Sequence, residues 1–309
     1  ATPRGPASAK LRPTMALSDE AVQAAGLGET RAWLADTGVD GIWHEATVVG
    51  RGEGGTATLR RDDGVGEPVV VSAEELKLVN TLPEAGVEDM TKLDYLHEPA
   101  LLRNLHRRFG QDLLYTYTGR ICIAVNPFNW QVSRPFYDEG LLRRYRAARF
   151  GSLPPHVFAI AEAAYAHICA PEGLGLGGGV SQAVLVSGES GAGKTEAVKI
   201  MMNYLAVVSS SATAAAATHG ATPKAQVAQQ VMASNPLLEA FGNASTCRNR
   251  NSSRFGKWLR VMLRPSGVVH SAELRTFLLE KARVTSQLRG ERNFHILHQL
   301  AAAAAAAAA

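Results

Sequence analysis

The chain has 309 residues, 46% of them apolar and 19% charged, with 29 glycines and 14 prolines; this suffices for a substantial core and about two domains, and excludes a wholly disordered, collagen-like or coiled-coil chain. Thirty-two Lys and Arg against 28 Asp and Glu leave a formal charge of +4, too small and too dispersed to mark a nucleic-acid binder. Cys122, Cys169 and Cys247 form no Cys-x-x-Cys pair and no run of about 18 apolar residues occurs, so neither a disulfide framework, a zinc site nor a membrane span is expected, and a cytoplasmic chain is the default.

The chain opens on Ala1 and closes on nine alanines, Ala301 to Ala309, so both ends are read as cut, the alanine run being a helix-prone tail without a pattern. Residues 1–37 are read as a flexible leader, rich in Ala, Pro, Gly and Ser over its first 29 positions. Over 38–84, short β-prone runs (Gly41 to Val49, Thr56 to Arg60, Val69 to Val71) are separated by glycine-rich turns. That spacing predicts a small antiparallel barrel, SH3-like in strand number. Beyond residue 85 the pattern becomes mixed α/β. Pro99 opens a helix with Leu101, Leu102, Leu105 and Phe109 on one face, ended by Gly110. Leu113 to Thr118 and Ile121 to Val125 read as strands, and Asp138 to Phe150 and the stretch from Pro155 as helices. Ala183 to Val186 reads as an apolar strand, Ser209 to Thr222 as a flexible loop, and 225–233 and 236–241 as helices. Lys257 to Leu263 and 268–275 form a hairpin about Pro265-Ser-Gly267, and 291–300 a short amphipathic helix. Trp43 and Trp258 are assigned to packing.

The strongest chemical signal is Gly188-Glu189-Ser190-Gly191-Ala192-Gly193-Lys194-Thr195, a G-x-x-x-x-G-K-[ST] string between a predicted strand and a predicted helix. Glycines allow the tight path that turns successive N–H groups onto phosphate oxygens at a helix N-terminus. Lys194 would reach the terminal phosphates, and the Thr195 hydroxyl suits Mg²⁺, which prefers oxygen ligands. The string therefore predicts a nucleoside triphosphate site. About 60 residues on, Asn249-Arg-Asn-Ser-Ser-Arg-Phe-Gly-Lys257 gathers amides, hydroxyls and cations, with six Lys or Arg and no acid between Thr246 and Arg264. A solvated basic loop, a nucleic-acid patch and a loop closing over a γ-phosphate all fit that composition.

Taken together, Gly188 to Thr195 and Asn251-Ser-Ser-Arg-Phe-Gly-Lys257 resemble the P-loop and switch I of myosin motor domains; kinesins carry Ser-His where this chain has Phe255-Gly256. Leu238 to Ala244, Phe277 to Val284 and Glu291 to Ile296 resemble the family's flanking segments. Asp94 to Pro99, Tyr115 to Gly119 and Ala124 to Phe128 look most like plant and algal class XI myosins. The resemblance implies an α/β P-loop NTPase core, the N-terminal part of a motor head over 85–300, after an SH3-like barrel and before a poly-Ala tail at 301–309. It implies an actin-activated Mg-ATPase of the actin cytoskeleton that moves cargo along actin filaments, with calmodulin-like light chains on a neck outside this sequence.

By position, the resemblance places Asn126, Pro127 and Tyr137 at the adenine and the P-loop and Asn249 at the phosphates. It makes Thr195 and Ser253 the Mg²⁺ ligands and Lys194, Ser252 and Arg254 the catalytic set. Ser252 would orient the attacking water, and Arg254 would pair with a switch II glutamate. The purine loop from Asn126 to Tyr137 is about two residues longer than in class XI relatives, and Arg250 and Ser245 replace residues usually Asn or Asp and Lys respectively. No aspartate occurs after residue 195. Switch II (D-x-x-G-x-E) is thus not in this sequence, and the 309 residues alone are expected to be inactive. The alternative is a truncated or degenerate non-motor P-loop protein that binds nucleotide without switch II.

Overall fold

The computed structural model describes residues 30–36, 38–52, 55–72, 74–170, 180–216 and 226–307, so the first 29 positions of the expected leader lie outside it. The chain divides into two compact units, one ending at Gly119 and the other beginning at Arg120. Among the described residues no helix is long and apolar enough to cross a membrane.

The first unit is built on five antiparallel strands, β1 (Arg31–Ala35), β2 (Trp43–Arg51), β3 (Thr56–Arg61), β4 (Val69–Ser72) and β5 (Lys77–Leu78), in the order β4-β3-β2-β1-β5. Alternate residues point inward, as a pleated strand requires, and Ala32, Ala46, Val48, Ala57, Leu59 and Leu76 form the core. A register shift between Val48 and Gly50 marks a bulge in β2, which increases local twist. Among the described residues β4 pairs with β3 alone and the two-residue β5 with β1 alone, so they form a curled antiparallel sheet, and closure into the expected SH3-like barrel is not seen among them. β1 lies within the 1–37 segment expected as a leader. Its Arg-Ala-Trp-Leu-Ala sequence holds no β-branched residue, and it becomes a strand because β2 and β5 flank it with backbone partners.

Helix α1 (Glu98–Phe109) belongs to this unit and carries Pro99 in its first turn, with the His97 side chain accepting from Ala100 N. Its buried face differs from the expected one. Leu102 and Phe109 are exposed, whereas Asn104 and Arg108 are buried. The helix faces irregular backbone whose peptide groups need partners. Asn104 Nδ2 donates to Val87 O at 3.0 Å and its Oδ1 accepts from Val87 N at 2.8 Å. Arg108 donates to Thr116 Oγ1 and to Tyr115 O, both at 2.9 Å. Gly86, at φ 69, must be glycine, because a Cβ there would meet Asn104 Oδ1 at 2.6 Å. β6 (Tyr115–Thr118) ends the unit.

The second unit begins with β7 (Ile121–Ala124), followed by a helical turn at Trp130–Ser133 and a 3-10 turn at Arg134–Tyr137. α2 (Glu139–Tyr145) is capped by Asp138 and stops at Arg146, shorter than expected, because Ala147 turns into the left-handed region at φ 57. α3 (Val157–Cys169) packs on α4 (Lys194–Ala216). Tyr204 of α4 is fully buried and donates to Glu162 of α3 at 2.7 Å, and Glu162 also accepts from Ala147 N at 2.8 Å. α4 runs through Ser209 to Ala216, where a loop was expected; residues 217–225 lie outside the described residues. Alanine favours helix there, and the buried Ser209 Oγ accepts from Val269 N at 2.7 Å.

The chain continues through α5 (Gln226–Ala233), α6 (Asn235–Gly242), β8 (Asn243–Ala244), β9 (Ser252–Ser253), β10 (Gly256–Leu263), β11 (Val269–Phe277) and α7 (His295–Ala307). α7 thus carries the helix of the expected 291–300 segment into the alanine run. The β10–β11 hairpin turns at Gly267, φ 75, whose carbonyl accepts from Tyr165 OH at 3.1 Å. Trp258 lies on the outer face of β10 and is half exposed, not packed as expected.

His156 caps α3 by accepting from Phe158 N at 3.0 Å through Nδ1, among the rings of Phe136, Tyr145 and Phe158. Burial lowers its pKa to about 4, because the cation is excluded from an apolar site. The unfolded chain takes up this proton near pH 6.5. Stability from the neutral ring is therefore full above that pH and declines as pH falls towards 4, by on the order of 3 kcal/mol. His156→Asn, which retains a capping side chain, should flatten the loss measured as urea midpoints between pH 7 and pH 4.5. An unchanged slope would reject this assignment.

Candidate functional site

Residues 180–189 carry no regular structure, so the expected strand Ala183 to Val186 is not formed, and Leu185 is 91% exposed. The physical reason is the lack of a neighbour: a strand exists through inter-strand bonds, and among the described residues none runs beside this segment. The P-loop itself is nevertheless shaped. Gly188, Gly191 and Gly193 stand at φ 153, 89 and 94, a path that leads directly into the N-terminus of the 23-residue α4. Lys194 Nζ lies across the loop mouth, donating to Gly188 O at 2.6 Å and Glu189 O at 2.9 Å. Thr195 follows in the first turn of α4.

Two other segments converge on this loop. Asn126 Nδ2 donates to Gly191 O at 2.7 Å, and its Oδ1 accepts from Phe128 N at 2.9 Å, beside a Phe128 backbone at φ 49. The Phe128 ring abuts Gly191. The Tyr137 ring lies 5.2 Å from that of Trp130, tilted by 33°; burial, then the charge of Glu196, raises its hydroxyl pKa. From the other side, Ser190 Oγ donates to Ser252 Oγ at 2.8 Å, joining positions 62 apart. Arg248 Nη1 meets Glu189 Oε2 at 2.7 Å in an exposed ion pair at the rim.

The Ser252 segment is held by its own network. β9 pairs only with β8, so no sheet shared with the P-loop segment carries it among the described residues. The two loops meet through side chains instead. Ser253 Oγ donates to Asn243 Oδ1 at 2.9 Å, and Asn249 Oδ1 accepts from Asn251 N at 2.9 Å. Arg254 Nη1 donates to Ser252 Oγ at 3.2 Å, and its Nε to Glu280 Oε2 at 2.5 Å. Among the described residues Arg254 is thus paired with Glu280, a carboxylate distinct from the switch II glutamate that the resemblance implies. The donor set fits a magnesium-bound triphosphate: an ammonium, a helix N-terminus and the hydroxyls of Ser190, Thr195, Ser252 and Ser253, with Glu189 turned to Arg248.

Residues 87–309 match the family model for the myosin head (motor domain). The chain belongs to the myosin head family. It is 43% identical to Myosin-6 of Arabidopsis thaliana over 256 residues, which cover 77% of this chain and 16% of that protein. Myosin-8 of Arabidopsis thaliana is 48% identical over 221 residues, covering 72% of this chain and 14% of that protein. Protein OPAQUE1 of Zea mays is 43% identical over 275 residues, covering 88% and 17%. The chain thus spans about a sixth of the length of these relatives.

Sequence reasoning named the three segments of this myosin head that the structure brings together: Asn126 with Gly191, and Ser190 with Ser252. It missed Glu280, Asn243 and the Glu189–Arg248 pair. Glu280 and Asn243 lie inside strings that resemble the family, yet nothing in their local spacing says that a hydroxyl or a guanidinium lands on them.

Proposed function

We propose that the chain is the leading part of a myosin head that binds Mg-ATP and hydrolyses it to drive movement or cargo transport along actin filaments in the cytoplasm. The bond between Ser190 Oγ and Ser252 Oγ carries this reading, because it draws the switch I segment onto the P-loop. In the proposed roles, the P-loop amides from Gly188 to Gly193 and the ammonium of Lys194 hold the phosphates. Asn249 adds a contact from switch I, and Asn126, Pro127 and Tyr137 hold the adenine. Thr195 and Ser253 would hold Mg²⁺, which neutralises the charge developing on the phosphate oxygens when bound. Ser252 positions the attacking water and Arg254 fixes Ser252, so that water attacks the γ-phosphate in line. Actin and calmodulin-like light chains would engage other parts of the protein.

Phosphate release by the full protein, with and without actin filaments at fixed Mg-ATP, tests the reading. Stimulated release is the expected result. Nucleotide binding without any stimulated release would favour the non-motor alternative, which the match to plant myosins does not support.

A further inference from the structure

We propose that Glu280 is a positioning residue for Arg254 and, through it, for the hydroxyl of Ser252. The inference rests on the nucleotide-site reading above and deepens it. Arg283 is 3% exposed and lies between two carboxylates. Its Nε and Nη2 donate to Glu280 Oε2 and Oε1 at 2.8 and 3.3 Å, its Nη2 to Glu291 Oε2 at 2.8 Å, and its Nη1 to Arg292 O at 3.1 Å. This fork holds the Glu280 carboxylate in one orientation. Its Oε2 then accepts from Arg254 Nε at 2.5 Å, Arg254 Nη1 donates to Ser252 Oγ, and Ser190 Oγ donates to the same hydroxyl. A continuous chain of side chains therefore runs from the buried Arg283 to the P-loop.

The backbone repeats the connection. Arg254 N donates to Gly242 O and Glu280 N to Arg254 O, both at 2.9 Å, so residue 254 is gripped by Glu280 through main chain and side chain. Two residues earlier Leu278 sits at φ 56 and is 86% exposed. A non-glycine residue held in that region costs energy and persists only where the surroundings impose it. Arg254 has several rotatable bonds, and a fixed carboxylate on its Nε side leaves one way to present Nη1 to Ser252. Displacement of a reacting group by about 1 Å can cost on the order of a hundredfold in rate, whereas phosphate affinity, set by the P-loop, need not change.

The test is Glu280→Gln in the full protein, read by single-turnover hydrolysis and by titration with fluorescently labelled ATP. The expected result is a hydrolysis step slowed at least about tenfold, within the range such misplacement produces, with affinity shifted less than threefold. Glu280→Asp, which keeps the charge for Arg283 at shorter reach, should fall between the wild type and Glu280→Gln and serves if the latter does not fold. Glu291→Gln weakens the grip on Arg283 from its other side and should lower stability without slowing hydrolysis. Wild-type hydrolysis rates in Glu280→Gln, or equal slowing by Glu291→Gln, would overturn the positioning role alone. A wild-type protein that binds no ATP would overturn the nucleotide reading and this inference with it.

Discussion

Replacing Lys194 with alanine is expected to weaken Mg-ATP binding at least a hundredfold, on the order of 3 kcal/mol. The ammonium is held over the loop mouth by the carbonyls of Gly188 and Glu189, so it is placed for phosphate oxygens before any nucleotide arrives. Charge-assisted hydrogen bonds each contribute roughly 1.5–3 kcal/mol, and an ammonium facing a triphosphate makes more than one. The substitution removes no core packing, because the side chain lies at the loop surface. Titration with labelled ATP checks the result, and an affinity equal to that of the wild type would reject the site.

Arg283→Met is expected to lower folding stability by roughly 3 kcal/mol, at the low end for breaking a buried ion pair. The cation is almost wholly enclosed, and its removal leaves Glu280 and Glu291 without the charge between them. Glu280 is 37% exposed and keeps Arg254, which is why the low end applies. Arg283 and then Arg254 hold the Glu280 carboxyl below the usual carboxylate range. The contribution is therefore present at neutral pH and is lost on acidification through that lowered pKa. Urea midpoints at pH 7 and pH 3 measure both effects: the gap between the two proteins should be wide at pH 7 and narrower at pH 3. Equal midpoints at pH 7 would remove the network from any account of this fold.

Local chemistry was readable wherever one stretch of chain suffices to produce it. Pro99 and the residues before it mark a helix start because a missing N–H costs nothing there, and α1 begins at Glu98. Gly267 marks the hairpin turn because its φ of 75 is open to glycine. The P-loop string marks a tight turn into a helix because its glycines at positive φ and the helix that starts at Lys194 lie within eight residues. The misreadings share a cause as well. Arg31–Ala35 and Ala183 to Val186 have opposite outcomes for the same reason: a strand is a relation between segments, and among the described residues only the first has neighbours. The helix at Glu98–Phe109 buries Asn104 and Arg108 because the backbone opposite needs donors and acceptors, which the apolar periodicity of the helix itself does not register.

The amino-acid order by itself determined the family, the glycine-rich P-loop string and the segment that meets it, because each is a contiguous string of characteristic residue types. Which side chain meets which across 62 or 26 positions was decided by tertiary structure alone: Ser190 on Ser252, and Arg254 on Glu280. Hydrogen bonds between distant residues depend on where the packing of α3, α4 and the β10–β11 hairpin sets each backbone, and no local spacing encodes that placement.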